Sequence, residues 1–423
     1  MDESIDVIQK SLSDRCIEKI EEKRERVLSG KINSIPLPFK RFRNVYPGAE
    51  RSRYVLITAN QKVGKSKLSD FLFMYEPFFY QLEHPSEFRL KVIYFTLEIN
   101  KEDKMNEFYC HLLWRLDKIR LSTGELKSVN KDKPLDLKII ELLKSKRYQY
   151  YLSEFEKTVD FVDNIKHPTG INAYCKEYAL SHGKYVYKNG KKKDEITGEW
   201  KDSKVIDYYS PDDPDEYRII IQDNASNLTL EKGTEIAATI NRMSKYNIEL
   251  RDKFYFTPVL IQHQAQAQES LDNFKSGKLK PSPAGLADCK TTIRDINIAI
   301  SIYSPFKHEI QQYEGYDITR FKNNIRFMEI MEDRDNGAGG MVCPLFFDGA
   351  TSFFAELPLP TDKTNINKVY EMLDNIREVK PKIAMINIEN NKKYIKNGKN
   401  RRNTRSKWRR KINEYCNKSR WKL

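Results

Sequence analysis

Long apolar runs are missing from this chain. No stretch approaches the roughly 18 consecutive apolar residues that a membrane helix needs, and Met1-Asp2-Glu3-Ser4 lacks the basic-then-apolar order of a secretory signal. No membrane partner is expected, and the expected location is the cytoplasm. Cysteine is sparse: Cys16, Cys110, Cys175, Cys289, Cys343 and Cys416 form no C-x-x-C pair, and the six histidines do not cluster near them. A disulfide framework or a structural zinc site is therefore not expected. Glycine and proline, 17 each in 423 residues, are too few for a low-complexity chain. Acid is scarce in one place only. Residues 392–423 hold fourteen of the 74 Lys and Arg but a single one of the 60 acids, Glu414, so the formal +14 belongs to the tail and the preceding 391 residues balance to +1.

What is present suits a folded core, with 39% apolar and 32% charged residues. The length would hold two or three average domains. In the basic tail, Trp408, Tyr415 and Trp421 lie among Arg401, Arg402, Arg405, Arg409, Arg410 and Lys411. Cations for phosphates and rings for bases suit a nucleic-acid contact. A solvated end is the competing reading of so dense a charge run.

The most informative stretch is Ala59-Asn60-Gln61-Lys62-Val63-Gly64-Lys65-Ser66. The β-prone run Tyr54-Val55-Leu56-Ile57 precedes it, and Leu68, Phe71 and Leu72 follow at helical spacing. A strand, a loop and a helix in that order make a phosphate cradle: backbone N–H groups and the helix N-terminus hold the anion, the Lys ammonium reaches the β/γ oxygens, and the Ser hydroxyl ligates Mg²⁺. Lys65 and Ser66 suit those two roles. The general pattern has Gly where Ala59 stands, and an ordinary turn is the alternative reading.

Further strands are expected at Lys91–Glu98, Tyr217–Asp223, Phe256–Gln264, Ile296–Tyr303, Ile325–Met331 and Met341–Asp348, and helices over 4–29, 102–121, 138–165 and 229–252. Between them, Asn189-Gly190 and Thr197-Gly198 signal turns in alternating sequence, so a hairpin is expected at about 183–210. Strands separated by helices and then closely spaced strands predict an α/β fold, a parallel sheet with antiparallel additions at one edge. The expected division is a leading amphipathic helix over 1–29, one large domain over 30–360 and a basic extension over 361–423.

Carboxylates at strand ends lie where ligands bind in open α/β sheets. Asp223 follows Tyr217, Ile219, Ile220 and Ile221 and suits holding Mg²⁺ through water. Glu98 suits polarising an attacking water, or is a surface acid after a strand. Gln264 suits sensing a γ-phosphate and passing its presence to the loop 265–285. That loop carries Lys275, Lys278 and Lys280 and reads as a single-strand contact or as a plain solvent loop.

From about Gly30 to Leu357, the order and spacing resemble the RecA-like motor domain of DnaB-type replicative helicases. In that family the phosphate loop often begins with Ala, as at Ala59. Thr96-Leu97-Glu98 is similar to the family's strand ending in Ser-Leu-Glu, which implies that Glu98 is the catalytic base. Ile221-Gln222-Asp223, with Ile240-Asn241-Arg242 in the following helix, resembles the second acid strand. Pro258-Val259-Leu260-Ile261-Gln262-His263-Gln264 resembles the Pro-Val strand ending in Ser-Gln, which assigns Gln264 rather than Gln262 to the sensor and puts His263 where Ser is usual. In the segment of the acidic pair, after Asp295, Asn297 replaces the second acid. Phe347-Asp348-Gly349 resembles the end of the motor.

The resemblance implies a RecA-like P-loop NTPase with a mainly parallel central sheet, antiparallel edge strands and the hairpin as an insertion. It also implies ATP and Mg²⁺ as cofactors, held by residues 59–66 and Asp223, a homo-hexameric ring on single-stranded and forked DNA, and a primase or loader as partner. The family's N-terminal domain has no counterpart, which together with an AT-rich flavour of composition would suit a phage. The family's Lys-Gln-Arg-Asn-Gly segment reads Glu332-Asp333-Arg334-Asp335-Asn336-Gly337, one residue longer and without Lys, and makes Arg334 the candidate arginine finger. Two alternatives to a helicase stay open: a recombinase-like or loader-like ATPase that coats single strands without unwinding, and a nucleotide-binding scaffold without turnover.

Overall fold

The computed structural model of the protein describes residues 11–193, 198–334 and 337–378. Residues 392–423, with Arg401, Arg402, Arg405, Arg409 and Arg410, lie outside the described residues, as do Ile5 and Ile8 of the leading helix. In chain order the principal elements are helix α1 (Leu12–Leu28), strands β1 (Ser34–Pro36), β2 (Gly48–Glu50) and β3 (Val55–Ala59), α2 (Lys65–Asp70), β4 (Arg89–Thr96), α3 (Lys101–Asp117), α4 (Lys146–Thr158), β5 (Val159–Val162), α5 (Pro168–Ser181), β6 (Gly183–Lys193), β7 (Trp200–Pro211), β8 (Glu216–Asp223), α6 (Ile236–Phe254), β9 (Phe256–His263), β10 (Ile298–Tyr303), β11 (Gln312–Tyr313), β12 (Tyr316–Asp317), β13 (Ile325–Asp333), β14 (Val342–Asp348), β15 (Phe353–Glu356) and α7 (Lys363–Glu378).

The chain divides into two compact units: 1–101, 144–302 and 329–342 form the first, and 102–143, 303–328 and 343–423 the second. The first is built on a sheet ordered β13-β10-β3-β9-β8-β4-β5. From β10 to β5 every neighbouring pair is parallel. Parallel strands need crossover helices on both faces, so their residues are buried on both sides and read as apolar runs rather than alternation. All five residues of β3 are buried, and so is every residue of β8 after Glu216. On one face α5 and α6 bring Ile171, Cys175, Ala179, Ile240, Met243, Leu250 and Phe254 onto Leu56, Phe95, Ile220 and Leu260. Beyond α2 the helical path continues through a π turn, Phe71–Tyr75, into Glu76–Glu83, whose Phe78 ring packs edge-on against Phe155 of α4 with centroids 5.2 Å apart.

The hairpin β6–β7 is antiparallel from Gly183↔Pro211 to Lys193↔Trp200. Its root is anchored: the Tyr209 hydroxyl donates to the Ala179 carbonyl at 2.6 Å, and the ring lies 5.3 Å from Phe254. The second unit holds the antiparallel pairs β11–β12 and β14–β15. No helix among the described residues is long and apolar enough to cross a membrane.

Three local expectations are corrected. Residues 159–162, read as the end of a helix, form β5 alongside β4, because β-branched Val159 and Val162 find a ladder partner that lies far away in sequence. Asn189-Gly190, read as a turn, lies inside the ladder opposite Lys204 and Ser203; a side chain at Gly190 would collide with Val205, the nearest contact being 2.6 Å. The helix read from 229 begins at Ile236, seven residues later in the chain, because Gly233 at φ +76° breaks the approach. Residues 363–378, at the start of the expected extension, form a helix whose Ile366, Val369, Tyr370 and Leu373 are buried at i, i+3, i+4 and i+7.

Candidate functional site

The octet 59–66 joins the C-terminal end of β3 to the start of α2. Gly64 is the residue before the helix and sits at φ +103°, which an L side chain rarely adopts; Lys62 also has positive φ, +60°. No side chain caps this helix start, and the first N–H groups of a helix have no partner within the helix itself. A helix start of this kind suits an anion. Lys65 is buried, only 7% exposed, although it is a lysine in the first turn. Asn60 donates through Nδ2 to the Leu279 carbonyl at 3.3 Å, and Val63 is buried while Gln61 and Lys62 are exposed.

Asp223 comes to this loop from β8. Ser66 Oγ donates to Asp223 Oδ1 at 2.9 Å across 157 residues of sequence, and the Tyr94 hydroxyl of β4 donates to Asp223 Oδ2 at 3.0 Å. The pairing of β4 with β8 explains how. Thr96 lies opposite Asp223, and one bond further the Leu97 N–H donates to the Asp223 carbonyl at 2.8 Å. Glu98 and Asn224 therefore leave the ladder side by side, and Asn224 Nδ2 donates to Glu98 Oε2 at 2.7 Å.

Gln264 arrives from the next strand. It is buried, donates through Nε2 to Thr58 Oγ1 at 3.0 Å, and accepts at Oε1 from the Ser282 N–H at 3.1 Å. One amide thus links the end of β3 to the far side of the loop 265–285. His263, opposite Ala59 in the β3–β9 ladder, has its pKa lowered to about 4, first by burial and then by the Lys65 ammonium, against the opposing pull of Asp223 and Asp288.

The structure therefore brings together Ala59–Ser66, Asp223 and, by hydrogen bonds through Thr58 and Asn224, Gln264 and Glu98. Arg334 is elsewhere. It sits on an exposed turn after β13, where its guanidinium donates to the Ile293 carbonyl at 3.3 Å and to that of Arg294. Lys275 and Lys278 are exposed, while Lys280 pairs with Glu329 at 2.8 Å. The loop that carries them contains a 3₁₀ turn, Gln266–Glu269, and a short helix, Leu271–Lys275. Sequence reading passed over Asn224 and Tyr94. Tyr94 was hidden inside an apolar run, and Asn224 gains its partner only through strand register.

Two buried polar atoms at this end of the sheet, Asn60 Oδ1 and His263 Nδ1, have no hydrogen-bond partner among the described residues. Such atoms suit an additional polar ligand. The hydroxyl of Ser66 and the carboxylate of Asp223 are hard oxygen donors of the sort Mg²⁺ takes. The residues present thus fit a nucleotide with its metal.

No protein-family model and no curated protein sequence matches the chain. Among solved structures it is similar to an ATPase domain, with 13% identity over 82% of this chain and 100% of that one and a TM-score of 0.57. It is also similar to a DnaB-like replicative helicase described with its interactions with primase, with 12% identity over 82% of this chain and 67% of that one and a TM-score of 0.55. The likeness is one of fold. The chain has the RecA-like P-loop ATPase fold that DnaB-type helicase motor domains use, with a mostly parallel sheet and added antiparallel hairpins.

Proposed function

We propose that the protein is an ATP-dependent DNA helicase of the DnaB type that works as a homo-hexameric ring on single-stranded DNA. The observation that carries the reading is the 2.9 Å contact between Ser66 and Asp223, which puts a phosphate-loop hydroxyl and a strand-end carboxylate on one point of the sheet. Lys65 and the N–H groups of residues 60–66 hold the phosphates, Ser66 and Asp223 hold Mg²⁺, and Glu98 orients and deprotonates the attacking water. Bound Mg²⁺ would neutralise charge on the phosphate oxygens. Gln264 passes a change at the phosphates to the loop 265–285, where Lys275, Lys278 and Lys280 contact the strand, a reading supported by its amide bonds to Thr58 and to the Ser282 N–H. Arg334 acts in the site of a neighbouring subunit, an arrangement supported by its exposure on a turn. The basic tail adds a second DNA contact, and a primase or loader is a further partner.

A forked-duplex assay tests this. ATP-dependent unwinding that is lost in Lys65→Ala is expected. ATP-dependent strand binding without unwinding would replace the helicase with a strand-coating ATPase, and hydrolysis that is negligible and unchanged in Glu98→Gln would leave only a nucleotide-binding scaffold.

A further inference from the structure

Four hydrogen-bonded groups lead from the Glu98 carboxylate to the loop that ends at Cys289. Asn224 is almost wholly buried, 1% exposed, and both ends of its amide are engaged. Its Oδ1 accepts from the Ser226 N–H at 3.1 Å, and its Nδ2 donates to Glu98 Oε2 at 2.7 Å. The orientation is settled by chemistry, because a backbone N–H can only donate and a carboxylate can only accept. Ser226 Oγ in turn donates to Asp288 Oδ2 at 2.6 Å. Asp288 has positive φ, +61°, and its two flanking carbonyls, Ala287 and Cys289, both accept from Gln262 Nε2 on β9, at 2.5 and 2.8 Å. The Ala287 N–H donates to the His263 carbonyl at 2.9 Å. The far end of the chain of contacts is thus fixed to the strand that carries His263 and leads into Gln264.

We propose that Asn224 is a positioning residue for Glu98, and that the Ser226–Asp288 contact ties its orientation to the segment 286–289. The inference rests on the reading of Glu98 as the group that activates water. A carboxylate on an exposed bend after a strand has rotational freedom, and a general base works only when its oxygen points at the proton it takes. The Nδ2 donor occupies Oε2 and so leaves Oε1 to face the reaction. Ser226 and Asp288 hold the amide that does this, in the manner of outer partners that orient a working group.

Steady-state ATP hydrolysis of the full chain tests the proposal with five variants. Asn224→Ala is expected to lower kcat about tenfold or more at nearly unchanged KM, since partners of this kind typically matter by 10- to 100-fold. Asn224→Asp keeps the acceptor for the Ser226 N–H but replaces the donor with a second negative oxygen, and should lose at least as much. Wild-type turnover in Asn224→Asp would show that the residue only caps the following turn, and would overturn the proposal. Asp288→Ala should lower kcat several-fold, and Asn224→Ala/Asp288→Ala should be no slower than Asn224→Ala alone, because a relay has one outlet. Fully additive losses would overturn the relay. Unchanged nucleotide affinity in each variant reports that the fold is kept. Should Glu98→Gln hydrolyse ATP at the wild-type rate, the base assignment fails; should it be dead while Asn224→Ala is normal, the positioning role alone fails.

Discussion

At His263 the imidazole feels the charges of Lys65, Asp223 and Asp288 at the end of the sheet, and burial followed by the Lys65 charge lowers its pKa from 6.5 to about 4. The native state therefore keeps this ring neutral, while the unfolded chain takes up a proton below about pH 6.5. Where the unfolded state binds more protons, stability rises with pH. The contribution is fully present above 6.5 and is lost as the pH falls toward 4. His263→Gln is expected to flatten the thermal midpoint between pH 6.5 and 4.5, and a slope equal to that of the unaltered protein would rule this ring out as the cause. The residues of the candidate site were legible where their signal is local: Gly64, Lys65 and Ser66 are adjacent in sequence, and Asp223 ends a mainly apolar run. Asn224 was not, because nothing near it in sequence says that Glu98 will be its neighbour.

Elements that owe their form to their own sequence were read correctly, and those that owe it to a distant partner were not. β3, β8 and β9 are mainly apolar, almost wholly buried runs and stand where expected, whereas β5 exists because β4 offers it a ladder. The hairpin was located by its alternation and two turn signals: Thr197-Gly198 lies in the segment between β6 and β7, whereas Asn189-Gly190 lies inside the ladder, where Gly190 serves close packing against Val205 rather than reversal of the chain. Helix α1 shows the same dependence on partners. Asp14 and Ser11 form a capping box at its start, and Arg26 near its end pairs with Asp215 at 2.8 Å, yet Ile17, Ile20, Val27 and Leu28 remain more than half exposed. Such a stripe needs a surface to cover it. Deleting residues 1–29 is expected to shift the protein toward slower-sedimenting, smaller species, and an unchanged sedimentation profile would remove α1 from the assembly.

For the whole molecule, charge separation is the dominant feature: a nearly neutral body carries a tail, residues 392–423, with a formal charge of +13. Affinity for a polyanion falls with salt in proportion to the phosphates neutralised. Removing 392–423 should therefore weaken binding to an oligonucleotide and flatten its dependence on salt, and equal slopes for the two proteins would exclude the tail as a contact. The sequence by itself determined the alternation of strands and helices and the strand–loop–helix around residues 59–66, because buried parallel strands, helix periodicity and a tight glycine turn are imposed within a few residues of one another. It also determined which carboxylates end strands. The tertiary structure alone decided which of those groups meet. Asp223 reaches Ser66, and Asn224 reaches Glu98, through the parallel register of β4 with β8 and the place of β3 two strands away, and register is set by burial summed over the whole sheet rather than by any local pattern.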